Sequence, residues 1–521
     1  MMKKLPVGLQ NFPDFSLRNC VYVDKTMYIH KMLDAGGKAF FLSRPRRFGK
    51  SLLLTTIQAI FDGKQKLFEG LFIHDKISWE THPVILLDMG LLVSTSIETL
   101  QHSLTQILLE IAVEYDVQLE EGQAADMLRQ LIVQLFTKTG RQVVLLVDEY
   151  DKPILDTIAD LKLATEIRTL LQSFYTIIKS SGAAIHFVLL TGVSKISQTS
   201  IFSGLNNLYD ISLDAAYAGI CGYTQNELED GFAEHITALT DTLQKSRQQI
   251  LKEIKAWYNG YSWDGQTFLY NPFSVLLLLQ QQRFLSHWFA SGTPSFLLKL
   301  MKEKDDFSPL LLAEIEVPAN FTDKQVLQQL DLVPLCFQTG YLTIKKANIQ
   351  TSQYWLKIPN DEVKIALTET LLTDLTGKPD YELHSLARQM KVAFEREEIP
   401  GAIEKLRILF SQVSYNTHVP SEAHYHALFQ LTMNLAGINQ RSEVYNSLGR
   451  ADSVLTFGEV IYIVEIKYVD KESDVSTSLI HGMEQIKSRR YYEPYMGQGN
   501  SVNLLALTFG KGILSFSHET I

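Results

Sequence analysis

Short apolar runs alternate with longer amphipathic stretches through the first two hundred residues. Four of these runs cover residues 39–42, 84–87, 143–147 and 185–190, and polar residues follow each of them. Short unbroken apolar runs are typical of strands buried on both faces of a parallel sheet, and the stretches between them have helical periodicity. The pattern therefore predicts an α/β domain with a mostly parallel sheet that binds its ligand at the carboxyl ends of the strands.

The loop after the first run has the layout of a phosphate-binding P-loop. Residues 43–48 favour a turn, and Gly49-Lys50-Ser51 then opens an apolar, helix-like segment. In a P-loop, backbone N–H groups and the positive end of the helix hold the phosphates. We expect Lys50 to contact the β- and γ-phosphates and the Ser51 hydroxyl to bind Mg²⁺.

The loop departs from the usual GxxxxGK[ST] pattern at its start. Arg44 stands where that pattern has glycine, and Pro45 removes one N–H donor. We therefore expect a variant P-loop that binds a nucleotide. The predicted nucleotide contacts within it are Arg44, Arg46, Arg47, Phe48, Gly49, Lys50, Ser51 and Leu52.

Polar residues that suit nucleotide chemistry follow the third and fourth runs. Asp148 and Glu149 lie in the stretch RQVVLLVDEYD. Asp148 is expected to bind the nucleotide and its Mg²⁺ together with Ser51, and Glu149 to polarise the attacking water. Thr191 or Ser194 is the candidate sensor of the γ-phosphate. The alternatives are an acidic turn after one strand and an ordinary turn after the other.

The length and the pattern divide the chain into further parts. A chain of 521 residues is too long for a single core. Residues 1–221 carry the P-loop pattern, and residues 222–301 are helical and rich in aromatic residues, which indicates the packed turns of a helical lid. Residues 302–406 mix short strands and helices and are interpreted as a connector. Residues 407–521 form the last predicted domain.

The last domain has an αβββαβ pattern. A helix over residues 421–438 precedes three strands, a helix and a final strand, predicted at 442–447, 450–457, 460–468, 476–492 and 502–509. Gly458-Glu459 is a two-residue hairpin turn. Counting back from this turn places Asp452 directly opposite Glu465, and Lys467 shares the face of Glu465.

These residues predict a metal centre. Two carboxylates this close within an apolar strand pair repel each other and are costly to bury. A divalent cation bound by Asp452, Glu465 and the backbone carbonyl of Ile466 removes this conflict. Lys467 would orient or deprotonate the attacking water. The alternative is a purely structural ion pair of Lys467 with Glu465 or Asp452.

Charge and composition narrow the classes of partner. A net charge of −10 argues against a surface coated with positive charge for nucleic-acid binding, but not against a local basic groove. Tyr491, with Lys487, Arg489 and Arg490, lines one edge of such a groove or belongs to an ordinary solvated helix face. No signal peptide or membrane span is visible, so we expect a cytoplasmic protein without a membrane partner.

Specific motifs in both halves resemble known families. The N-terminal half is similar to AAA-ATPase-like proteins that carry a nuclease domain at their C-terminus, through LPVGLQNF, YVDKT, FLSRPRRFGKSLLL, VVLLVDEYDKP and TGVSKIS. GRADSVL, IVEIK and QIKSRRYY resemble the PD-(D/E)XK nuclease superfamily. The resemblance implies a P-loop NTPase-type sheet followed by a nuclease-like αβββαβ domain, with Arg44 as the family's own form of the loop.

The resemblance also implies functional roles. Asp452, Glu465 and Lys467 correspond to nuclease residues, Glu422 to a further metal or substrate contact, and Gln485 to a contact with a substrate phosphate. The implied cofactors are ATP and Mg²⁺ or Mn²⁺, and the implied partner is nucleic acid, with DNA favoured. Both a monomer and a homo-oligomer are compatible with the sequence. We expect ATP to control access to the nuclease, in mobile-element biology or defence. The alternative is an ATP-driven switch or interaction protein with an inactive nuclease-like domain.

Overall fold

The computed structural model describes most of the chain in two compact units. The first unit is Met1–Leu297 with Glu314–Asp361, and the second is Leu298–Ala313 with Glu362–Ile521. The segment predicted as a connector is thus shared between the two units. The described residues are 2–195, 208–288, 297, 300, 301, 304, 314–323, 330–348, 350–410, 422–446, 449–497, 500–510 and 512–521.

A five-stranded sheet forms the centre of the first unit. Its strands are β1 (Ala39–Ser43), β2 (Val84–Asp88), β3 (Val143–Asp148), β4 (Ile185–Gly192) and β5 (Leu208–Asp210). They lie in the order β2-β3-β4-β1-β5, and each neighbouring pair is parallel. All residues of β1 and β3 are buried, as their unbroken apolar runs require. The predicted parallel α/β sheet is confirmed.

The first unit also contains twelve described α-helices, some between the strands of this sheet and some after its last strand along the chain. They are α1 (Phe12–Leu17), α2 (Thr26–Asp34), α3 (Lys50–Phe61), α4 (Ile97–Glu114), α5 (Ala124–Thr139), α6 (Lys152–Asp156), α7 (Leu161–Ser180), α8 (Gln225–Gly231), α9 (Ala233–Leu243), α10 (Arg247–Tyr258), α11 (Pro272–Gln281) and α12 (Leu332–Thr339). Apolar side chains of α8 to α11 pack into one buried cluster. None of the described helices is long and apolar enough to cross a membrane.

A small antiparallel sheet also belongs to the first unit. Its strands β6 (Ile315–Pro318), β7 (Thr343–Asn348) and β8 (Gln353–Lys357) lie in the order β6-β8-β7. It accounts for part of the segment that the sequence pattern assigned to a connector.

The second unit has a mixed five-stranded sheet and five described helices. The helices are α13 (Asp361–Thr376), α14 (Asp380–Glu395), α15 (Ile399–Phe410), α16 (Glu422–Leu435) and α17 (Val475–Ser488). The strands are β9 (Asn439–Asn446), β10 (Gly449–Phe457), β11 (Val460–Val469), β12 (Ser501–Gly510) and β13 (Ile513–Thr520), in the order β13-β12-β11-β10-β9. Only β11 and β12 pair in parallel among these described strands.

The predicted αβββαβ order is present from α16 to β12, and one strand more follows. Strand β13 was not predicted because its second half is polar and exposed, as suits a strand at the edge of a sheet. The register predicted for the hairpin is confirmed from Phe457–Val460 to Ser453–Val464. Gly458, with φ +60°, provides the left-handed backbone that the turn needs.

Candidate functional site

A cavity of about 520 Å³ lies at the start of α3 in the first unit. The loop between β1 and α3 forms one part of its lining, through Arg46, Arg47, Phe48, Gly49, Lys50, Ser51 and Leu52. The N-terminal segment and residues 220–223 form other parts. The cavity therefore joins seven of the eight predicted loop contacts at one place.

Lys50 is the first residue of α3, and its side chain is bonded to the loop that precedes the helix. Gly49 has φ +96°, a left-handed conformation that suits glycine and lets the chain turn directly into α3. The Lys50 ammonium donates hydrogen bonds to the carbonyl oxygens of Arg44 and Pro45, both at 3.0 Å. An ammonium held in this way, in a cavity lined by backbone at a helix N-terminus, suits an anionic ligand.

The Asp148 carboxylate, at the end of β3, accepts three hydrogen bonds. The Ser51 hydroxyl donates to Oδ2 of Asp148, and the Thr191 hydroxyl donates to Oδ1 at 2.6 Å. The N–H of Glu149 also donates to Oδ1, at 3.0 Å. These bonds fix the carboxylate beside Ser51, which is the arrangement that a shared Mg²⁺ site requires. Thr191 is thus placed to position Asp148, and Ser194 likewise donates to Asp151.

Glu149 lines the cavity with a side chain that is only partly exposed. Burial raises the pKa of its carboxyl, and the negative charges of Asp148 and Asp151 raise it further, against the lowering effect of Lys50 and Arg46. A carboxylate with a raised pKa is better suited to accept a proton than an ordinary surface glutamate.

Arg44 is the one predicted loop contact that does not line the cavity. Its guanidinium is fully buried and donates to the carbonyl oxygens of Ser43 and Ser212, both at 2.8 Å. It also lies 4.0 Å from the ring centre of Trp263. The Arg44 side chain therefore stabilises the loop from the side away from the cavity, and a contact of Arg44 with the nucleotide stays a prediction. Burial lowers the pKa of Arg44 to about 10.

The aromatic residues of the predicted lid pack against this loop. The Trp288 indole donates to the carbonyl oxygen of Arg46 at 3.0 Å. The guanidinium of Arg47 lies 4.7 Å from the ring centre of Phe273. Phe48 makes edge contacts with the rings of Tyr261 and Trp263. The aromatic turns therefore hold the conformation of the loop between β1 and α3.

A second site lies in the second unit, on the hairpin of β10 and β11. Its ladder ends at Ser453–Val464, and Asp452 and Glu465 are the next residues on the two strands. Glu465 is completely buried, and its Oε1 accepts a hydrogen bond from the Lys467 ammonium at 2.8 Å. Oε2 of Glu465 is buried and has no hydrogen-bond partner among the described residues.

Asp452, Glu465 and Lys467 form what we call the acidic centre. Burial and the neighbouring charges shift the pKa values of Glu465 and Lys467. Burial raises the pKa of Glu465 to about 7, with Asp452 and Glu422 also raising it and Lys467 lowering it. Burial alone would lower the pKa of Lys467, but its bond to Glu465 and the negative charges of Glu465, Glu422 and Asp452 raise it overall. Lys467 is therefore held as an ammonium, which favours orienting water over deprotonating it.

The acidic centre fits a hard divalent cation that takes most of its ligands from outside the protein. Across the described parts of the chain, no group of three or more His, Cys, Asp or Glu residues is placed to hold a metal. Mg²⁺ commonly binds through one or two carboxylates and completes its shell with water and phosphate oxygens. The unpartnered Oε2 of Glu465, beside Asp452, offers such a ligand. Ile466 contributes its N–H to Oδ2 of Asp452 at 2.8 Å; a role for its carbonyl stays a prediction.

Of the three predicted substrate contacts, one acts on this centre and two line a pocket of the same unit. Glu422 is exposed at the start of α16 and acts electrostatically on Glu465 and Lys467. Gln485 on α17 lines an open pocket of about 590 Å³ together with Arg450 and Arg489. Tyr491 also lines this pocket, but it is largely buried.

Sequence reasoning missed two residues of the first unit. Gly90 follows β2 and lies against the Glu149 carboxylate, and Lys25 lines the cavity from the N-terminal segment. The YVDKT motif contains Lys25, but an isolated lysine between two polar residues gives no local sign of a ligand contact. Gly90 stands directly after the Asp88-Met89 pair at the end of an apolar run, which is a weak sign of close backbone approach.

Comparison with known proteins agrees with this architecture. A family described as predicted AAA-ATPase matches residues 6–202, and the PD-(D/E)XK nuclease superfamily matches residues 420–519. The solved structure of the Aeropyrum pernix ORC2 protein in ADPNP and ADP complexes aligns with 80% of this chain and 85% of its own, at 12% identity. Its TM-score of 0.26 is too low to support a conclusion.

One relative matches almost the whole chain. A protein of Azotobacter chroococcum mcd 1, described as an uncharacterized protein in the vnfD 5′ region, is 35% identical over 98% of this chain and 97% of its own length. Identity at this level across both units shows common descent of the whole arrangement. The chain therefore belongs to the family of AAA-ATPase-like proteins with a C-terminal PD-(D/E)XK nuclease superfamily domain.

Proposed function

We propose that the first unit binds and hydrolyses ATP and that the second unit is a divalent-metal-dependent DNA nuclease. ATP binding or hydrolysis controls access to the nuclease centre. The observation that carries the nuclease proposal is the buried, unpartnered Oε2 of Glu465 beside Asp452. The ATPase proposal rests on the bond between Ser51 and Asp148 at the cavity edge.

In the ATPase unit, each polar group of the cavity has a separate task. The Lys50 ammonium exchanges the carbonyl oxygens of Arg44 and Pro45 for phosphate oxygens, and Ser51 with Asp148 holds the magnesium ion of the nucleotide. Glu149 accepts a proton from the attacking water, for which its raised pKa is suited.

In the nuclease unit, hydrolysis adds water across a P–O bond of the phosphodiester and leaves a phosphate monoester and a hydroxyl group. A bound Mg²⁺ or Mn²⁺ supplies Lewis-acid stabilisation of the phosphoryl oxygens. Asp452 and Glu465 hold that ion, and the Lys467 ammonium orients the water and stabilises negative charge on the phosphate. Gln485 contacts a neighbouring phosphate from α17.

The substrate assignment rests on the superfamily and on local charge. With a net charge of −10, the chain needs a local basic surface to hold DNA. Arg450 and Arg489 line the pocket beside Gln485 and supply part of that surface. The biological setting that we propose is a prokaryotic mobile-element or defence system.

Cleavage assays test the nuclease proposal directly. Plasmid and single-stranded DNA are incubated with Mg²⁺ or Mn²⁺, with and without ATP, using wild type, Asp452→Ala and Lys467→Ala. We expect cleavage by wild type and loss of cleavage in both variants, with ATP turnover retained. Asp470→Ala, an exposed carboxylate one residue after β11, is the matched control and keeps cleavage. Dependence of cleavage on ATP would connect the two activities.

The second candidate function is an ATP-driven switch with an inactive nuclease-like domain. It is favoured by the lack, in the described residues, of three clustered metal-binding side chains. ATP turnover without cleavage under any metal condition would select this candidate. Glu149→Gln is expected to abolish turnover while ATP still binds; unchanged turnover would remove Glu149 as the base.

A further inference from the structure

Lys25 is a second lysine in the nucleotide cavity, and it comes from the N-terminal segment. It lies directly before α2 and lines the same cavity as Lys50. Its ammonium donates to both carboxylate oxygens of Glu227, each at 2.7 Å. The side chain is only 11% exposed, so the charge is largely removed from bulk water.

The backbone around Lys25 is fixed without the help of its ammonium. The Asp24 carboxylate accepts hydrogen bonds from the N–H groups of Thr26 and Phe72, at 2.8 and 2.7 Å. The Thr26 hydroxyl accepts the N–H of Ile73 at 3.2 Å. The backbone that carries Lys25 is therefore held in place by hydrogen bonds that do not involve the Lys25 side chain.

Glu227 is also fixed by bonds other than the ion pair. Its carboxylate accepts the N–H of Thr224 at 2.8 Å, and the Thr224 hydroxyl accepts the N–H of Glu227 in return. This capping box fixes the start of α8. The single carboxylate of Glu227 thus accepts hydrogen bonds both from the backbone at the helix cap and from the Lys25 ammonium.

The cavity carries an excess of positive charge. Of its lining residues, Lys25, Arg46, Arg47, Lys50 and Lys152 are basic, whereas Glu149 and Asp156 are acidic. Burial lowers the pKa of Lys25 despite the opposing effect of Glu227, so one carboxylate compensates the buried ammonium incompletely. An ammonium has three donors, and a further anion in the cavity would use the one that Glu227 leaves.

We propose that Lys25 is a further nucleotide-binding residue, which donates a hydrogen bond to a phosphate oxygen of the bound nucleotide while Glu227 positions it. The proposal rests on the proposed binding of ATP in this cavity. It gives the N-terminal segment a direct part in phosphate recognition, beside the loop that precedes α3.

Calorimetric titration of the full chain tests the role of Lys25. The ligands are ATP, inorganic tripolyphosphate and adenosine, and the variant is Lys25→Met. Loss of a charge-assisted hydrogen bond is expected to weaken ATP and tripolyphosphate binding by about 10- to 100-fold and to leave adenosine binding unchanged. The matched control is Lys31→Met, an exposed lysine of α2 that contacts the Ala216 carbonyl and the Tyr217 ring, and it binds all ligands as wild type does.

A double variant separates binding from folding. Lys25→Met alone leaves the Glu227 carboxylate without its partner, whereas Lys25→Met with Glu227→Gln removes both charges. We expect the double variant to regain the thermal stability of wild type and to keep the weakened affinity for ATP and tripolyphosphate. Recovery of affinity in the double variant would overturn the proposal, because it would reduce Lys25 to a structural partner of Glu227.

Three other outcomes also decide the question. Wild-type affinity for ATP in Lys25→Met would overturn the inference and leave the proposed ATPase function standing. Equal loss of adenosine binding would overturn the phosphate contact. If wild type bound neither ATP nor tripolyphosphate, while Lys50→Ala behaved identically, the proposed function itself would fail and the inference with it.

Discussion

Gly90 leaves open the space beside the Glu149 carboxylate. A Cβ atom on residue 90 would lie 2.8 Å from Oε2 of Glu149 and equally close to Oδ1 of Asp88. Oδ1 of Asp88 already accepts the N–H of Gly90, so it cannot move away without breaking that bond. The position of the candidate base, directly after β3, thus depends on a glycine that follows β2.

We expect Gly90→Ala to lower ATP turnover by about 10- to 100-fold, because a displacement of about 1 Å at a reacting group costs this much. ATP affinity should change by less than about threefold, since binding rests mainly on the loop before α3. Steady-state kinetics and nucleotide titration separate the two effects. Gly122→Ala, where a Cβ meets no atom within 4 Å, is the control; full turnover in Gly90→Ala would contradict the role of Glu149.

Thr191→Val tests whether this residue positions Asp148 or senses the γ-phosphate. Valine keeps the shape but removes the donor to Oδ1 of Asp148. We expect a severalfold rise in the Mg²⁺ concentration needed for half-maximal ATP turnover, because a ligand of the ion loses its orientation. A changed ratio of ATP to ADP affinity would instead indicate a sensor. Thr176→Val, an exposed hydroxyl on α7 that bonds to Gln172, is the control.

Arg44→Gly restores the glycine of the usual loop pattern, yet we expect it to destabilise the protein. The variant loses charged hydrogen bonds to Ser43 and Ser212 and the stacking on Trp263. The expected loss in the free energy of unfolding is about 2–4 kcal/mol, which denaturant titration measures. Arg141→Gly removes an exposed guanidinium paired with Glu80 and should cost about 1 kcal/mol or less. An Arg44→Gly protein as stable as wild type would show that the buried arginine contributes nothing net.

Glu465→Gln should change how the stability of the metal-free protein depends on pH. A folded-state pKa of about 7, above the ordinary 4.5, means that the neutral carboxyl is favoured by folding. This contribution is fully present below pH 4.5 and is lost as the pH rises through 7. Relative to Glu465→Gln, wild type should therefore lose up to about 3 kcal/mol between these limits.

Denaturant unfolding in EDTA at pH 5 and pH 8 measures this difference. The exposed Glu459→Gln on the hairpin turn is the control and should follow wild type at both values. Addition of Mg²⁺ at pH 8 should stabilise wild type and not Glu465→Gln, because binding to the ionised carboxylate removes the cost of burying it. Parallel pH dependence of wild type and Glu465→Gln would show that Glu465 is ionised at little cost.

The main elements of both sites follow from local sequence signals. Asp148 could be placed at a sheet edge because the apolar run before it is unbroken, as in a strand buried on both faces. Asp452 and Glu465 could be brought together because a two-residue turn fixes the register of the strands on either side. In each case the information lies within about twenty residues.

Other features depend on contacts that no local pattern encodes. The direction of the Arg44 side chain is decided by Ser212 and Trp263, which are far along the chain, so its burial could not be predicted from the loop sequence. Strand β13 is polar over its second half, so its sequence lacks the apolar pattern that identifies a strand. Its place in the sheet comes from its pairing with β12.

The long-range contacts of the loop between β1 and α3 also determine when that loop is completed during synthesis. Arg44, Arg46, Arg47 and Phe48 all contact residues between Ser212 and Trp288, whereas the last strand of the sheet ends at Asp210. A nascent chain that has emerged only to the end of the sheet has all five strands but lacks the partners of its loop. The proposed nucleotide site is therefore completed after the sheet that carries it, once the aromatic turns have left the ribosome.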